Sequence, residues 1–203
     1  AGRDLLSRLM YGTRITLSIA GSVVFLAGIA GVVLGLLAGY FGGPLEVAIT
    51  LVTDWIFAFP SLVLALAINV LLGVSTRNLV LALAILYTPT MIRITRGAVL
   101  RTKEHEYVVA AIALGSSNGR ILFRHLLPNV MAPILVQLTV GFSWCILSES
   151  GLTYLGFGAQ PPDASWGMVL QEGRAAVLVA PWPSLWAGVF IGIAVLGFNF
   201  LGD

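Results

Sequence analysis

The sequence predicts an all-α protein, a polytopic bundle of transmembrane helices, and three observations carry that reading. Of 203 residues, 58% are hydrophobic and only 10% are charged, against roughly a quarter charged in soluble domains. Mean hydropathy is +0.97. The apolar residues gather into five runs, at about 15–41, 47–72, 79–96, 130–148 and 185–201. These runs do not alternate with a period of two and are too long for barrel strands of about ten residues, whereas a helix crosses the hydrocarbon in about 20. Five spans leave mostly short connections, so a single transmembrane domain over 1–203 is expected.

The first run carries Gly28, Gly31, Gly35 and Gly39 at three- and four-residue steps. Such a stripe of small residues lets a neighbouring helix backbone approach closely. Pro60 and Pro89 interrupt the second and third runs. Each removes an intrahelical hydrogen bond, so a kink is expected there. Ala1 is not an initiator methionine and the first run exceeds a signal-peptide core, so the chain reads as part of a longer protein cut at both ends.

Two connections are long. Residues 97–129 hold Arg101, Lys103, Glu104, Glu106, Arg120 and Arg124, and 151–184 hold mostly Gly, Pro and aromatic residues with Asp163, Glu172 and Arg174. The basic residues of 97–129 place that connection on the cytoplasmic side. Within it, residues 104–114 contain no helix breaker and run into Gly115, the residue best suited to a left-handed cap. Ser116 and Ser117 offer N-caps for a second short helix through Arg124, and Pro128 suits the start of the next span. This helix–turn–helix element is too short and charged to span, so it lies along the membrane surface or docks on a partner.

In the fourth run Pro133, Gln137, Gly141, Trp144 and Ser148 share one helix face. Polar groups there face the bundle or a water-accessible passage; both readings stay open, since Gln and Ser also join helices by hydrogen bonds. Glu149 stands at the end of that run, placed to meet a cationic solute group or a neighbour's arginine, and Asp54 within the second run needs a structural partner.

Several chemistries are excluded. His105-Glu106 begins a zinc-protease helix, but its fifth position is Val109, so no metal site forms. His105 and His125 lie in the charged connection rather than beside a span-buried serine, and Asp54 has no second intramembrane aspartate. The one lysine, Lys103, sits between Thr102 and Glu104 rather than in a phosphate-binding loop. The chain therefore offers no catalytic constellation. A single cysteine, Cys145, cannot make an internal disulfide, and a net charge of +2 is too small for a nucleic-acid surface.

Ala110-Ala111, Gly115 and Leu127-Pro128 resemble the EAA loop of permease subunits of binding-protein-dependent ABC importers. Glu106-Tyr107-Val108, Arg124 to Asn129, Leu152 to Gly158, Pro161-Pro162 and Ser165-Trp166-Gly167 resemble the second permease subunit of dipeptide, oligopeptide and nickel systems. Gly2 to Arg8 and Phe59-Pro60-Ser61 fit the same family. One departure is Val109, standing where the general EAA pattern opens on glutamate, with Glu106 one turn earlier.

The resemblance implies a type I ABC importer permease fold, with a further span upstream, a cytoplasmic coupling helix in 97–129 and an external loop at 151–184. It implies Glu106, Ala110, Ala111, Gly115, Ser116, Leu127 and Pro128 as the ATPase-coupling residues. The implied partners are two cytoplasmic ATPase subunits holding ATP and Mg, a second homologous permease and an extracytoplasmic substrate-binding protein, in a bacterial or archaeal plasma (inner) membrane. No cofactor is expected in this chain itself. Gln137, Gly141, Trp144, Ser148 and Glu149 are the residues expected along the translocation path. The alternative, a stand-alone secondary transporter or channel, needs its own ion relay, for which the spans offer only Asp54 and Glu149.

Overall fold

The computed structural model describes residues 4–160 and 164–202; Gly2, Arg3, Pro161, Pro162 and Asp163, named above, lie outside the described residues. All regular structure among the described residues is helical. The first helix, α1 (Leu5–Phe41), begins well before the apolar run because Asp4 caps it, accepting hydrogen bonds from the backbone N–H of Leu6 at 3.1 Å and Ser7 at 3.3 Å. It ends where Gly42 and Gly43 take positive φ, 66° and 60°, and turn the chain into α2 (Gly43–Phe57).

The expected second span is not one kinked helix. It is two helices, α2 and α3 (Ser61–Leu72), which meet at 92°. Pro60 has no N–H to continue α2 and disfavours helical backbone at the residue before it. It takes an extended conformation, with ψ 124°, and starts α3 instead. Pro89 behaves differently, since α4 (Thr76–Thr102) runs through it unbroken.

After α4 come α5 (Glu106–Ala113) and α6 (Asn118–Tyr154). The second short helix expected through Arg124 is not separate but forms the first turns of α6. Its Ile121–Leu126 stretch is a π-helix in which the Leu127 N–H donates to the Leu122 carbonyl. The wider turn falls just before Pro128, which has no N–H for the carbonyl one turn back. Two further helices, α7 (Trp166–Gly173) and α8 (Trp182–Gly202), complete the bundle. Among the described residues four helices are long and apolar enough to cross a membrane, α1, α4, α6 and α8, and the bent α2–α3 pair makes a fifth crossing if taken as one span.

The glycine stripe is where α1 and α4 meet. A Cβ on Gly35 would lie 2.6 Å from the Thr95 Cβ, one on Gly39 would lie 2.8 Å from the Val99 Cβ, and one on Gly31 would overlap Met91. Met91, Thr95 and Val99 are themselves one turn apart, so two straight ridges close without side chains between them. Gly28 turns to α6 instead, where its Cβ would lie 2.9 Å from the Leu138 Cδ2. Two apolar clusters follow along the bundle. One gathers Leu9, Val23, Leu83, Ile146 and Trp166. The other gathers Met91, Val99, Val108, Ile121 and Ile134 nearer α5.

At the end of the bundle away from α5, α7 is fixed to α1 by polar contacts. The Trp166 indole N–H donates to the Leu9 carbonyl at 3.0 Å, and its backbone N–H donates to the Thr16 hydroxyl at 3.2 Å. Arg8 forms a two-bond fork to Glu172 at 2.7 and 2.8 Å. Ser165 caps α7 through the Met168 N–H, and Gly167 brings it against α6, where a Cβ would lie 2.8 Å from the Ser150 carbonyl oxygen.

Candidate functional site

Three features stand out against the apolar bundle: a cleft into which a few polar side chains project, an ion pair beside it, and an exposed apolar surface around α5. The cleft, of about 330 Å³, lies between α4, α6 and the α2–α3 break. Gln137, Val140 and Trp144 line it from α6, Leu86, Tyr87 and Thr90 from α4, and Ile56, Phe57, Phe59 and Ser61 from the break. Gln137 and Trp144, which the sequence periodicity puts on one helix face, both line it.

Tyr87, absent from the sequence-derived site, organises that wall. Its hydroxyl donates to the Gln137 carbonyl at 2.5 Å and accepts from the Gln137 side-chain amide at 3.0 Å. Its ring stacks on Trp144 at 5.4 Å between centroids. Gly141 lies beneath that ring, and a Cβ there would overlap it. Gly141 is thus buried packing for the cleft wall rather than part of its surface. The only sequence signal for Tyr87 was a polar aromatic near Pro89, which names no partner.

Ser148 and Glu149 do not line the cleft. Glu149 is fully buried at the far end of α6, where it accepts from the Thr153 hydroxyl at 2.9 Å and the Ser150 hydroxyl at 3.2 Å. Among the described residues no arginine or lysine pairs with it. The expected cationic partner is replaced by hydroxyls, which supply donors to the buried carboxyl without a second charge. Thr153 also accepts from the Ala159 N–H at 3.3 Å, joining the end of α6 to the segment before α7.

Asp54 does find a structural partner. Arg93 Nη2 donates to its Oδ1 at 3.3 Å while the guanidinium lies over the Phe57 ring, 4.5 Å from its centroid. One turn further along α4, Arg96 holds Glu46 more tightly, through Nε at 2.8 Å and through Nη2.

The α5 element has a finished local structure. The Ser116 N–H donates to the Ala111 carbonyl at 3.1 Å and the Gly115 N–H to the Ile112 carbonyl at 2.9 Å, with Gly115 at φ 75°. This is the Schellman arrangement that glycine permits. Val108 and Ala111 turn inward, so Ala111 is packing beneath the surface and not a part of it. Glu106, Ala110, Gly115 and Pro128 are exposed, and Ser116 and Leu127 are half-buried. Around them Tyr107, Val109, Ile112, Leu114 and Phe123 are exposed, Leu114 by 86%. Two long-range hydrogen bonds hold the element to α1: the Tyr40 hydroxyl to Asn118 Oδ1 at 2.8 Å, and the Lys103 ammonium to the Gly39 carbonyl at 3.0 Å.

Residues 31–203 match the family described as binding-protein-dependent transport system inner membrane component. The chain belongs to that family, so it is a multi-pass inner-membrane transport component. It is similar to the dipeptide transport system permease protein DppC of Alkalihalophilus pseudofirmus, 44% identical over 202 residues, covering 100% of this chain and 66% of that one. It is similar also to the di/tripeptide permease DppC of Pseudomonas aeruginosa, at 42% identity over 100% of this chain and 67% of that one. The glutathione permease GsiD of Pectobacterium atrosepticum is 38% identical, with the same coverages. The chain spans about two thirds of the length of these curated relatives.

Among solved structures, an inward-facing form of the MetNI methionine ABC transporter superposes with a TM-score of 0.81 at 17% identity, covering 100% of this chain and 96% of that one. An amino acid ABC transporter superposes with 0.74 at 19% identity, covering 100% and 97%. The fold is that of an ABC importer permease.

Proposed function

We propose that this chain is the transmembrane subunit of an ATP-driven peptide importer, forming half of the translocation path and taking its movement from separate ATPase subunits. Family membership and the 44% identity to a dipeptide permease support peptide as the solute, ahead of nickel or another small solute. The observation that carries the coupling role is the α5 surface. Tyr107, Val109 and Ile112 stand exposed on this short helix, with Leu114 at its cap and Phe123 on the adjoining turn of α6, and the residues that flank the helix, Lys103 and Asn118, are hydrogen-bonded to α1. An exposed apolar face on an element too short to span suits docking, and the hydrogen bonds that flank it give a displacement a route into the bundle.

In this reading α5 faces the cytoplasm and seats on an ATPase that holds ATP and Mg. A second permease completes the path, and a substrate-binding protein delivers solute at the α7 side. Ala110 and Gly115 bring the partner close to the backbone, Glu106 and Ser116 offer polar contacts, and Val109 supplies an apolar contact where the general family pattern has a carboxylate. Leu127 and Pro128 follow the π-helical stretch of α6 beside this surface. The cleft lined by Gln137 and Trp144 is this chain's wall of the path. Hydrolysis takes place in the partner, since this chain carries no phosphate-binding loop.

The test is transport by the full-length subunit reconstituted with its partner chains in proteoliposomes. Dialanine uptake that requires both internal ATP and the binding protein supports the importer. Uptake that persists without ATP and follows an ion gradient would make the chain a secondary transporter.

A further inference from the structure

The Arg93–Asp54 pair is an unusual object for a membrane-spanning region. Both side chains are more than half exposed, 62% and 54%. Charged groups within membrane-spanning segments face the bundle or a water-filled space rather than acyl chains, so this pair looks onto water or onto another polar surface. The pair adjoins the cleft directly. Thr90, which lines it, is one turn before Arg93 on α4, and Ile56 and Phe57, which also line it, follow Asp54 on α2.

The pair is also loosely made. Its one contact of 3.3 Å is long beside the 2.7–2.9 Å usual for charge-assisted bonds. The Arg8–Glu172 fork in the same chain reaches 2.7 and 2.8 Å. The Phe57 ring beneath the Arg93 guanidinium uses none of its N–H groups, and no acceptor other than Asp54 takes them among the described residues. The cleft lining itself contains no charged residue, only Gln137, Tyr87, Thr90 and Ser61 as polar groups. One cation and one anion therefore stand together at the edge of a neutral, partly aromatic cleft.

We propose that Arg93 and Asp54 are an exchangeable binding site for the charged ends of a short zwitterionic peptide, Arg93 taking the α-carboxylate and Asp54 the α-ammonium as their mutual contact opens. The cleft amide and hydroxyls then meet the peptide backbone, and Phe57 and Trp144 its side chains. Exchange of one weak ion pair for two suits a passage, where a solute must bind well enough to enter and weakly enough to leave. This site rests on the reading of the cleft as part of the translocation path.

The experiment separates the two. In the assembled importer with Cys145→Ala, Thr90→Cys is treated with a charged methanethiosulfonate reagent. If it is unlabelled with and without nucleotide, the cleft is not a water-filled path and the underlying reading fails. If it is labelled, dialanine is expected to slow labelling at least threefold and N-acetyl-dialanine amide, which has neither charge, to leave it unchanged. Equal slowing by both peptides, or by neither, would overturn the proposal while leaving the path intact.

Arg93→Gln and Asp54→Asn are each expected to lower dialanine uptake about tenfold in complexes that still co-purify with their partners. The exchange of the two charges, Asp54→Arg with Arg93→Asp, is expected to leave uptake equally low. Restoration of uptake by that exchange would make the pair a brace between α2 and α4, and so would uptake within twofold of wild type in both single variants. The peptide-shielding comparison decides the matter even if a charge variant fails to assemble.

Discussion

The Tyr40 hydroxyl donates to Asn118 Oδ1 at 2.8 Å, joining the last turn of α1 to the first turn of α6 across the element that presents α5. The bond is exposed, so its value lies less in stability than in fixing where α5 stands relative to the bundle. A hydrogen bond of this kind contributes about 1 kcal/mol net. Tyr40→Phe is expected to leave the melting temperature of the purified complex within about 2 °C and to reduce peptide transported per ATP hydrolysed by about threefold. An unchanged transport-to-hydrolysis ratio would show that the tether carries no movement.

The α1–α4 contact has no room for a side chain. Gly35→Ala places a methyl 2.6 Å from the Thr95 Cβ and 2.9 Å from the Ile92 carbonyl oxygen. Overpacking of this kind costs about 1–3 kcal/mol, so the variant is expected to lose thermal stability clearly in detergent. Gly192→Ala, on α8 with nothing within 4 Å of the added atom, is the matched control. It is expected to be neutral or slightly stabilising, because alanine favours a helix over glycine by about 1 kcal/mol.

Thr153 both donates to Glu149 and accepts from Ala159. Thr153→Val keeps the shape and leaves two buried groups without that partner, at about 1–3 kcal/mol for an unsatisfied group. Thr153→Ser retains the hydroxyl and is expected to recover most of the loss. Thermal unfolding of the two variants side by side checks it; equal stability would mean that the hydroxyl network around Glu149 is not structural.

Leu114→Asp puts a charge at the most exposed point of the α5 surface, where little packing within this chain is lost. Stability of the bundle is expected to change by less than about 0.5 kcal/mol, as for ordinary surface substitutions. Co-purification with the ATPase subunits is expected to fall at least tenfold. Full retention of the ATPase would place the docking surface elsewhere.

The parts of this fold that were legible in the sequence are those where one residue type has one physical use. Gly31, Gly35 and Gly39 announce a close helix contact, and Gly115 announces a left-handed cap; both features stand in the structure. Periodicity along α6 likewise put Gln137 and Trp144 on one face.

What was not legible depends on partners distant in sequence, or on a choice between two outcomes of one residue. Proline breaks the helix at Pro60 and is carried through at Pro89, two outcomes of one residue type that the sequence around each does not tell apart. Nothing near Glu149 in sequence shows that hydroxyls close around it, so a carboxyl expected to meet a cation is instead buried among Ser150 and Thr153. Tyr87 gained its role from Gln137, 50 residues away. Ala111 looked interchangeable with Ala110 until the turn of α5 sent one inward and the other outward.

The most direct test of the central claim is site-specific crosslinking at the α5 turn in native membranes. In the full-length subunit, Cys145→Ala removes the one cysteine of this segment and Ser116→Cys, a nearly isosteric change, places another within the docking surface. The expected result is capture of a P-loop ATPase by a cytoplasmic-side crosslinker. Labelling of the same cysteine from the outside, or a cytoplasmic cysteine that captures no ATPase while the complex still transports, would contradict the importer account.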